Sequence, residues 1–152
     1  MTGQLVPVFE RNIWFGRTVI SLRGFCANRG LVVPPVTIWV DEPESIGALG
    51  ECRLGDHTRG RLASIAISPE VADGPKALAA VLHELVHASD DCASDDGEWF
   101  PAWALTLGLT QVPATVPNAG LQRYLQRLST RLPAFPPSHT GFQVLVDGRV
   151  VA

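Results

Sequence analysis

The hydrophobic residues between positions 74 and 89 follow the spacing of a helix that buries one face. The apolar positions recur at i, i+3 and i+4: Leu78, Val81, Leu82, Leu85 and Val86. Such a stripe is typical of an amphipathic helix packed on a core. Asp73 lies shortly before Pro75, and both are residue types that begin helices. The pattern therefore predicts a helix that starts near these residues and ends at about Ser89.

Three shorter apolar segments precede this helix and are typical of strands: 36–40, 48–54 and 60–68. In the third segment, alternation places Ala63, Ile65 and Ile67 on one face, which we expect to face the core. The opposite face is small and only half polar, so we expect it to be partly covered as well.

Weaker patterns predict three further helices and a terminal hairpin. A loosely helical pattern covers 9–28, with Gly30 as its stop, and two more helices are predicted over 98–109 and 118–132. In the segment 142–152, an Asp-Gly pair lies between apolar residues and predicts a two-residue hairpin turn. A helix, three strands and then helices indicate an α+β fold with an antiparallel or mixed sheet.

Composition narrows the class of protein. The chain has 152 residues, 46% of them hydrophobic and 18% charged, which is typical of one globular domain with a sizeable core. The net charge of −3 gives no basic surface of the kind that holds nucleic acid non-specifically. Arg123, Arg127 and Arg131 recur at four-residue spacing, and we expect them to form a solvated helix face.

The compartment is predicted from the termini and the cysteines. The N-terminal sequence shows no secretory pattern, and no apolar run is long enough to span a membrane. Cys26, Cys52 and Cys92 are an odd number without C-x-x-C spacing, so we expect reduced, partly buried thiols and neither a disulfide framework nor a zinc ribbon. These observations predict a cytoplasmic protein that does not associate with membranes.

The predicted helix carries the motif H-E-x-x-H at positions 83–87. Residues four apart lie about 40° from each other on a helix, so His83 and His87 can bind one ion. Glu84 lies about 100° further round, where it can reach a water bound to that ion. Two fixed ligands and an adjacent carboxylate are the arrangement that metal-assisted hydrolysis requires. The motif therefore predicts a catalytic zinc site with Glu84 as its base.

A catalytic zinc normally has a third protein ligand. The acidic residues that follow the helix are candidates, and those reached after the chain turns back are favoured over Asp90. The full set of alternatives is Asp95, Asp96, Glu98, Cys92 and the distant His139. The spacing alone leaves this choice open.

Two longer stretches resemble the SprT-like zinc metallopeptidases, especially the compact bacterial and phage forms. They are "ISPEVADGPKALAAVLHELVHAS" and "DDGEWFPAWALTLGL", within a similarity that covers about 36–110. The resemblance implies a zincin-like fold, in which a small three-stranded or larger sheet packs on the H-E-x-x-H helix and on further helices. It also implies one domain over 1–152, with a core at about 36–132 and the hairpin at 142–152.

The resemblance assigns roles to individual residues. It implies that His83 and His87 bind Zn²⁺, that Glu84 is the general base, and that Asp96 stands where the family has its third histidine ligand. Substrate would add as a strand beside the segment 61–68. A donor for the oxyanion is also needed, for which Tyr124 and His139 are candidates by residue type alone. DNA is a partner only by analogy with some members of the family.

The leading hypothesis is thus a zinc endopeptidase that acts on a protein or peptide substrate. A second enzyme hypothesis is a repressor-cleaving metallopeptidase of mobile elements, for which Glu98 can supply the acidic ligand. The third is an interaction module, either degenerate but zinc-binding or metal-free. Intact Glu84 favours an enzyme, whereas aspartate at position 96 favours the module. Oligomeric state is open in all three.

Overall fold

The computed structural model describes residues 7–55, 60–93, 99–110, 116–136, 145–146 and 149–150, the first three and last four by backbone alone. Its four helices are α1 (Pro7–Ala27), α2 (Gly74–Ala88), α3 (Trp99–Leu107) and α4 (Ala119–Arg131). The strands are β1 (Thr37–Val40), β2 (Gly50–Arg53), β3 (Ser64–Ile67), β4 (Leu109–Thr110), β5 (Val116–Pro117), β6 (Leu145–Val146) and β7 (Arg149–Val150). The fold is therefore α+β, as predicted.

The main sheet is mixed and has the strand order β1-β3-β2. Strand β1 runs parallel to β3, with Ile38 opposite Ile65, and β2 runs antiparallel to β3, with Cys52 opposite the same Ile65. The expectation that substrate adds beside 61–68 is wrong, because β3 is hydrogen-bonded on both sides. Within the described residues, β2 is an edge strand of this sheet.

Helix α2 lies at the centre of the core and follows the sequence pattern closely. The Asp73 side chain caps it by accepting a hydrogen bond from the backbone N–H of Lys76, and the helix ends at the cap residue Ser89. All five residues of the predicted apolar stripe are fully buried, and the helix packs on β2, β3 and the other three helices. The extensive burial holds α2 rigidly, together with any side chain that its remaining face presents.

Both faces of β3 are covered. Ala63, Ile65 and Ile67 are buried, as the alternation predicts, and Ala66 and Ser68 on the opposite face are also buried. The expectation of a partly covered second face is confirmed at these two positions.

Helix α1 is fixed to the segment before α2 and to the segment after α4 by buried side chains. The Arg11 guanidinium donates to the carbonyl oxygens of Pro69, Val71 and Pro136 at 2.7–3.2 Å. Trp14 donates its indole N–H to the carbonyl of Pro133 at 2.8 Å. The chain beyond α4 thus closes over α1 and completes the core on this side.

The second half of the chain confirms the predicted helices and adds one unpredicted pair of short strands, whereas the predicted Asp-Gly turn at 147–148 lies outside the described residues. Helix α3 ends before Gly108, whose φ of +102° favours glycine. The pair β4–β5 then leads into α4. Strands β6 and β7 pair antiparallel within the predicted hairpin segment. No helix among the described residues is both long enough and apolar enough to cross a membrane.

The cysteine prediction is wrong for two of the three residues. Cys52 of β2 and Cys92, which follows α2, form a disulfide with their Cα atoms 5.6 Å apart. Only Cys26 is a free, buried thiol. Pairing across 40 residues depends on how the elements pack, which cysteine count and spacing do not report. Because disulfides persist in oxidising compartments, the cytoplasmic prediction loses its cysteine argument and stays a prediction.

Candidate metal centre and adjoining cleft

Helix α2 brings His83, Glu84 and His87 together. The two imidazole rings lie one turn apart, with centroids separated by 5.1 Å. The Glu84 Oε1 atom lies 3.6 Å from Nε2 of His83, and each residue offers a ligand atom within 4.8 Å of the others. Among the described residues, this is the one group of three or more metal-ligating side chains that lie this close together.

Phe100 of α3 contacts both histidine rings. It stacks on His87 with a centroid distance of 3.9 Å and an interplanar angle of 13°, and it meets His83 edge-on at 4.8 Å. Phe100 is itself 5% exposed. A second helix therefore helps to orient both imidazoles, a role that the sequence pattern alone did not assign to this residue.

Glu84 is buried, although it carries an ionisable group on the same helix face as the cleft described below. Its side chain is 5% exposed, and its Oε2 atom has no hydrogen-bond partner among the described residues. Burial, together with a smaller contribution from the charge of Glu51, raises the pKa of its carboxyl group to about 8. A carboxylate in this position is stabilised by a cation or by a water that the cation binds.

Strand β2 forms the wall opposite Glu84. A Cβ atom placed on Gly50 would lie 3.0 Å from Cγ of Glu84 and 3.1 Å from Cδ1 of Ile67. Further along β2, Glu51 accepts a hydrogen bond from Arg53 at 2.7 Å. Glycine at position 50 therefore lets the edge strand approach the carboxylate closely.

The chain turns sharply after α2. Asp91 and Cys92 have φ values of 63° and 60°, and the disulfide then fixes Cys92 to β2. Trp99, at the start of α3, donates its indole N–H to Ser89 Oγ at 3.0 Å. Cys92 and Trp99 are thus both anchored, Cys92 to strand β2 and Trp99 to Ser89 at the end of α2.

The candidates for a third ligand have different outcomes. Cys92 is excluded as a thiolate ligand because its sulfur pairs with Cys52. Asp95, Asp96, Glu98 and His139 lie outside the described residues. Asp96 as the third ligand therefore stays a prediction.

A cleft of about 670 Å³ adjoins the cluster. It runs between the segment 47–50, the outer face of α2, strand β5 and helix α4, and His83 and Glu84 lie in its wall. Its size falls in the usual range for ligand sites, about 300–1,000 Å³. His83 and Glu84 therefore face a space that can admit a substrate.

Two other predicted features lie outside the site. Tyr124 stacks on Phe25 with a centroid distance of 4.3 Å, and it does not line the cleft, so it packs helices together and is not positioned as an oxyanion donor. Arg123, Arg127 and Arg131 are exposed, which confirms the predicted solvated face.

The His83–Glu84–His87 cluster can hold a metal ion. Two imidazoles and a carboxylate are the types of ligand that zinc takes from proteins, and the buried Oε2 of Glu84 would gain a partner from the ion or its water. Comparisons with protein-family models, with curated proteins and with solved structures find no match to this chain. The SprT-like resemblance therefore stays a prediction.

Proposed function

We propose that the chain is a zinc-dependent endopeptidase with a zincin-like site of the SprT-like type. The observation that carries the proposal is the His83–Glu84–His87 cluster, held on a buried helix at the wall of an open cleft. Histidine ligands packed between helices, with an adjacent buried carboxylate facing a substrate-sized space, meet the requirements of metal-assisted hydrolysis.

His83 and His87 would hold the ion, and Asp96 is the predicted third ligand. When bound, zinc acts as a Lewis acid and lowers the pKa of water to about 7. Glu84 then accepts the proton of the attacking water and donates it to the leaving amine. Its position supports this role, since Oε1 lies 3.6 Å from Nε2 of His83 and a general base must lie within reach of the water that the ion binds.

The outer edge of β2, which pairs with no other strand among the described residues, supports a peptide as the substrate. The backbone N–H of Ser68 donates to the carbonyl of Leu49 at 2.8 Å, one pair beyond Gly50 and Ile67. Because bonded and non-bonded pairs alternate in an antiparallel ladder, Gly50 and Cys52 direct their backbone groups away from β3. An extended peptide can pair with these groups beside Glu84, independently of its side chains.

The proposal is tested by replacing the base and keeping the ligands. Zinc-loaded wild type should cleave a reduced, carboxymethylated protein, whereas Glu84→Gln should keep about one zinc per chain and lose cleavage by about 100-fold or more. Glu70→Gln, at an exposed position in the turn before α2, is the matched control and should cleave normally.

Two results would contradict the endopeptidase. The first is cleavage by Glu84→Gln at the wild-type rate. The second is a zinc-loaded wild type that cleaves no unfolded protein, which would favour the non-enzymatic zinc-binding module instead. DNA as a partner rests on family analogy alone.

A further inference from the structure

The cleft extends away from the candidate metal centre along one face of α2. His83, Ala79 or Ala80, and Lys76 follow one another at intervals of about one turn on this face, and all line the cleft. From His83 to Lys76 is seven residues, or about 10 Å at the rise of an α-helix. The space is thus long enough for a large side chain to enter from beside Glu84.

The middle of the cleft is apolar and its floor is made of small residues. Ala79 and Ala80 are 6% and 7% exposed and leave the space above α2 open. Leu125 of α4 and Val116 of β5 form the facing wall, while the charged Lys76 lies towards the helix N-terminus. An apolar group buried here would lose its contact with water and leave no polar group of its own unpaired.

Apolar side chains also remain exposed at the rim. Leu49 and Val116, which line the cleft, are 42% and 41% exposed, and Ile46, which directly precedes the lining residue Gly47, is fully exposed. Leu49 directly precedes Gly50 at the open edge of β2. The apolar pocket, its apolar rim and the edge of β2 are therefore continuous. An extended polypeptide that carries a large apolar side chain can contact all three at once.

We propose that this cleft is the specificity pocket of the enzyme, that it receives a large apolar side chain next to the cleaved bond of an unfolded polypeptide, and that Ala79 and Ala80 determine this preference. The inference rests on the proposed function and adds to it the substrate class. A leucine or phenylalanine side chain fits the open space above Ala79 and Ala80, whereas a larger residue at position 79 would fill that space.

The test measures binding separately from cleavage. Fluorescent peptides with a Gly-Ser-Thr background and one variable residue are titrated into zinc-loaded Glu84→Gln protein, with anisotropy as the readout. A leucine or phenylalanine at the variable position should bind about 10- to 100-fold tighter than glycine, the gain expected from burying one such side chain. In the double variant Glu84→Gln/Ala79→Trp, the leucine and phenylalanine peptides should bind no tighter than the glycine peptide, since the indole ring would occupy the pocket.

Two further variants keep the test independent of folding defects. Val116→Asp alters an exposed wall residue without touching the core, and it should also reduce the leucine preference by about tenfold or more. Ala102→Trp, at an exposed position on α3 away from the cleft, is the matched control and should keep the preference.

Equal affinity for the leucine and glycine peptides, including no measurable binding of either, would overturn the pocket. So would an unchanged preference in both Ala79→Trp and Val116→Asp. If wild type cleaves unfolded protein without any apolar preference, the endopeptidase stands and the pocket fails. If the leucine preference is present but wild type cleaves nothing, the pocket stands and the endopeptidase fails.

Discussion

At Gly50, a single hydrogen in place of a side chain decides how closely β2 approaches Glu84. Any larger residue would meet the Glu84 side chain at 3.0 Å and the backbone oxygen of Ala66 at 3.3 Å. Since the Glu84 carboxylate is the proposed base, Gly50 acts as a positioning residue. Its importance could not be read from the sequence, because the approach of β2 to α2 is a long-range contact.

Gly50→Ala should therefore displace the base. We expect the free energy of unfolding to decrease by about 1–3 kcal/mol, the usual cost of overpacking. We also expect kcat to fall about tenfold or more, while the zinc content stays the same. Gly16→Ala is the control: its Cβ would meet nothing within 4 Å in the middle of α1, so stability should rise by about 0.5–1 kcal/mol. Full activity and stability in Gly50→Ala would contradict the close approach.

Cys26 provides a pH-dependent prediction far from the metal centre. It is fully buried, and burial raises the pKa of its thiol from 9.0 to about 12. Above pH 9 the unfolded chain loses this proton while the folded chain keeps it, so stability decreases as pH rises from about 9 to 12. Relative to Cys26→Ala, the unfolding free energy of wild type should fall by up to about 1.4 kcal/mol per pH unit in this window.

Denaturant titrations of both proteins at pH 8, 9 and 10 measure this difference. Parallel pH profiles for wild type and Cys26→Ala would show that the thiol ionises normally and is not sealed from water. Alkylation of the native protein at pH 8 provides a second readout, since a buried neutral thiol should react only after unfolding.

At the scale of elements, local patterns were predictable and pairings were not. Helix α2 follows from its apolar period and its Asp73 cap, both of which act within a few residues. The central place of β3 and the Cys52–Cys92 pairing depend on which segments meet in space. The two-residue strands β4 and β5 are too short to produce a periodic signal.

The contact between α3 and the histidines predicts an effect on zinc that packing alone would not produce. Phe100→Leu should release the ring stacked on His87 and weaken zinc affinity about tenfold, as losses of outer-shell support typically do. Leu107→Val, at a similarly buried position of α3, is the control. Both variants should lose about 1–3 kcal/mol of stability, but only Phe100→Leu should alter the zinc affinity measured by competition with a chelating dye.

The disulfide links β2, which carries Gly50, to the turn that leaves α2. It closes a loop with a sequence separation of 40, for which the loss of unfolded-chain entropy predicts about 3–4 kcal/mol of stabilisation. Cys52→Ala/Cys92→Ala should be less stable by about this amount in denaturant titrations. Reductant should destabilise wild type equally and leave the double variant unchanged; a wild type that is insensitive to reductant would contradict the pairing.

At the scale of the whole molecule, the fold brings a metal-ligating cluster, an open strand edge and an apolar cleft to one place. The sequence predicted the cluster, because both histidines and Glu84 lie within one turn of a strongly patterned helix. It did not predict the cleft, whose walls come from four separate parts of the chain. The proposed endopeptidase requires all three features, and its chemistry depends first on metal binding by the cluster.

The measurement that tests this most directly is the zinc content of the purified chain by elemental analysis, after exposure to zinc and removal of the excess. We expect about one zinc per chain in wild type and almost none in His83→Gln/His87→Gln, since two of the proposed ligands are lost. A wild type without zinc, or a double variant that retains as much zinc as wild type, would contradict this expectation.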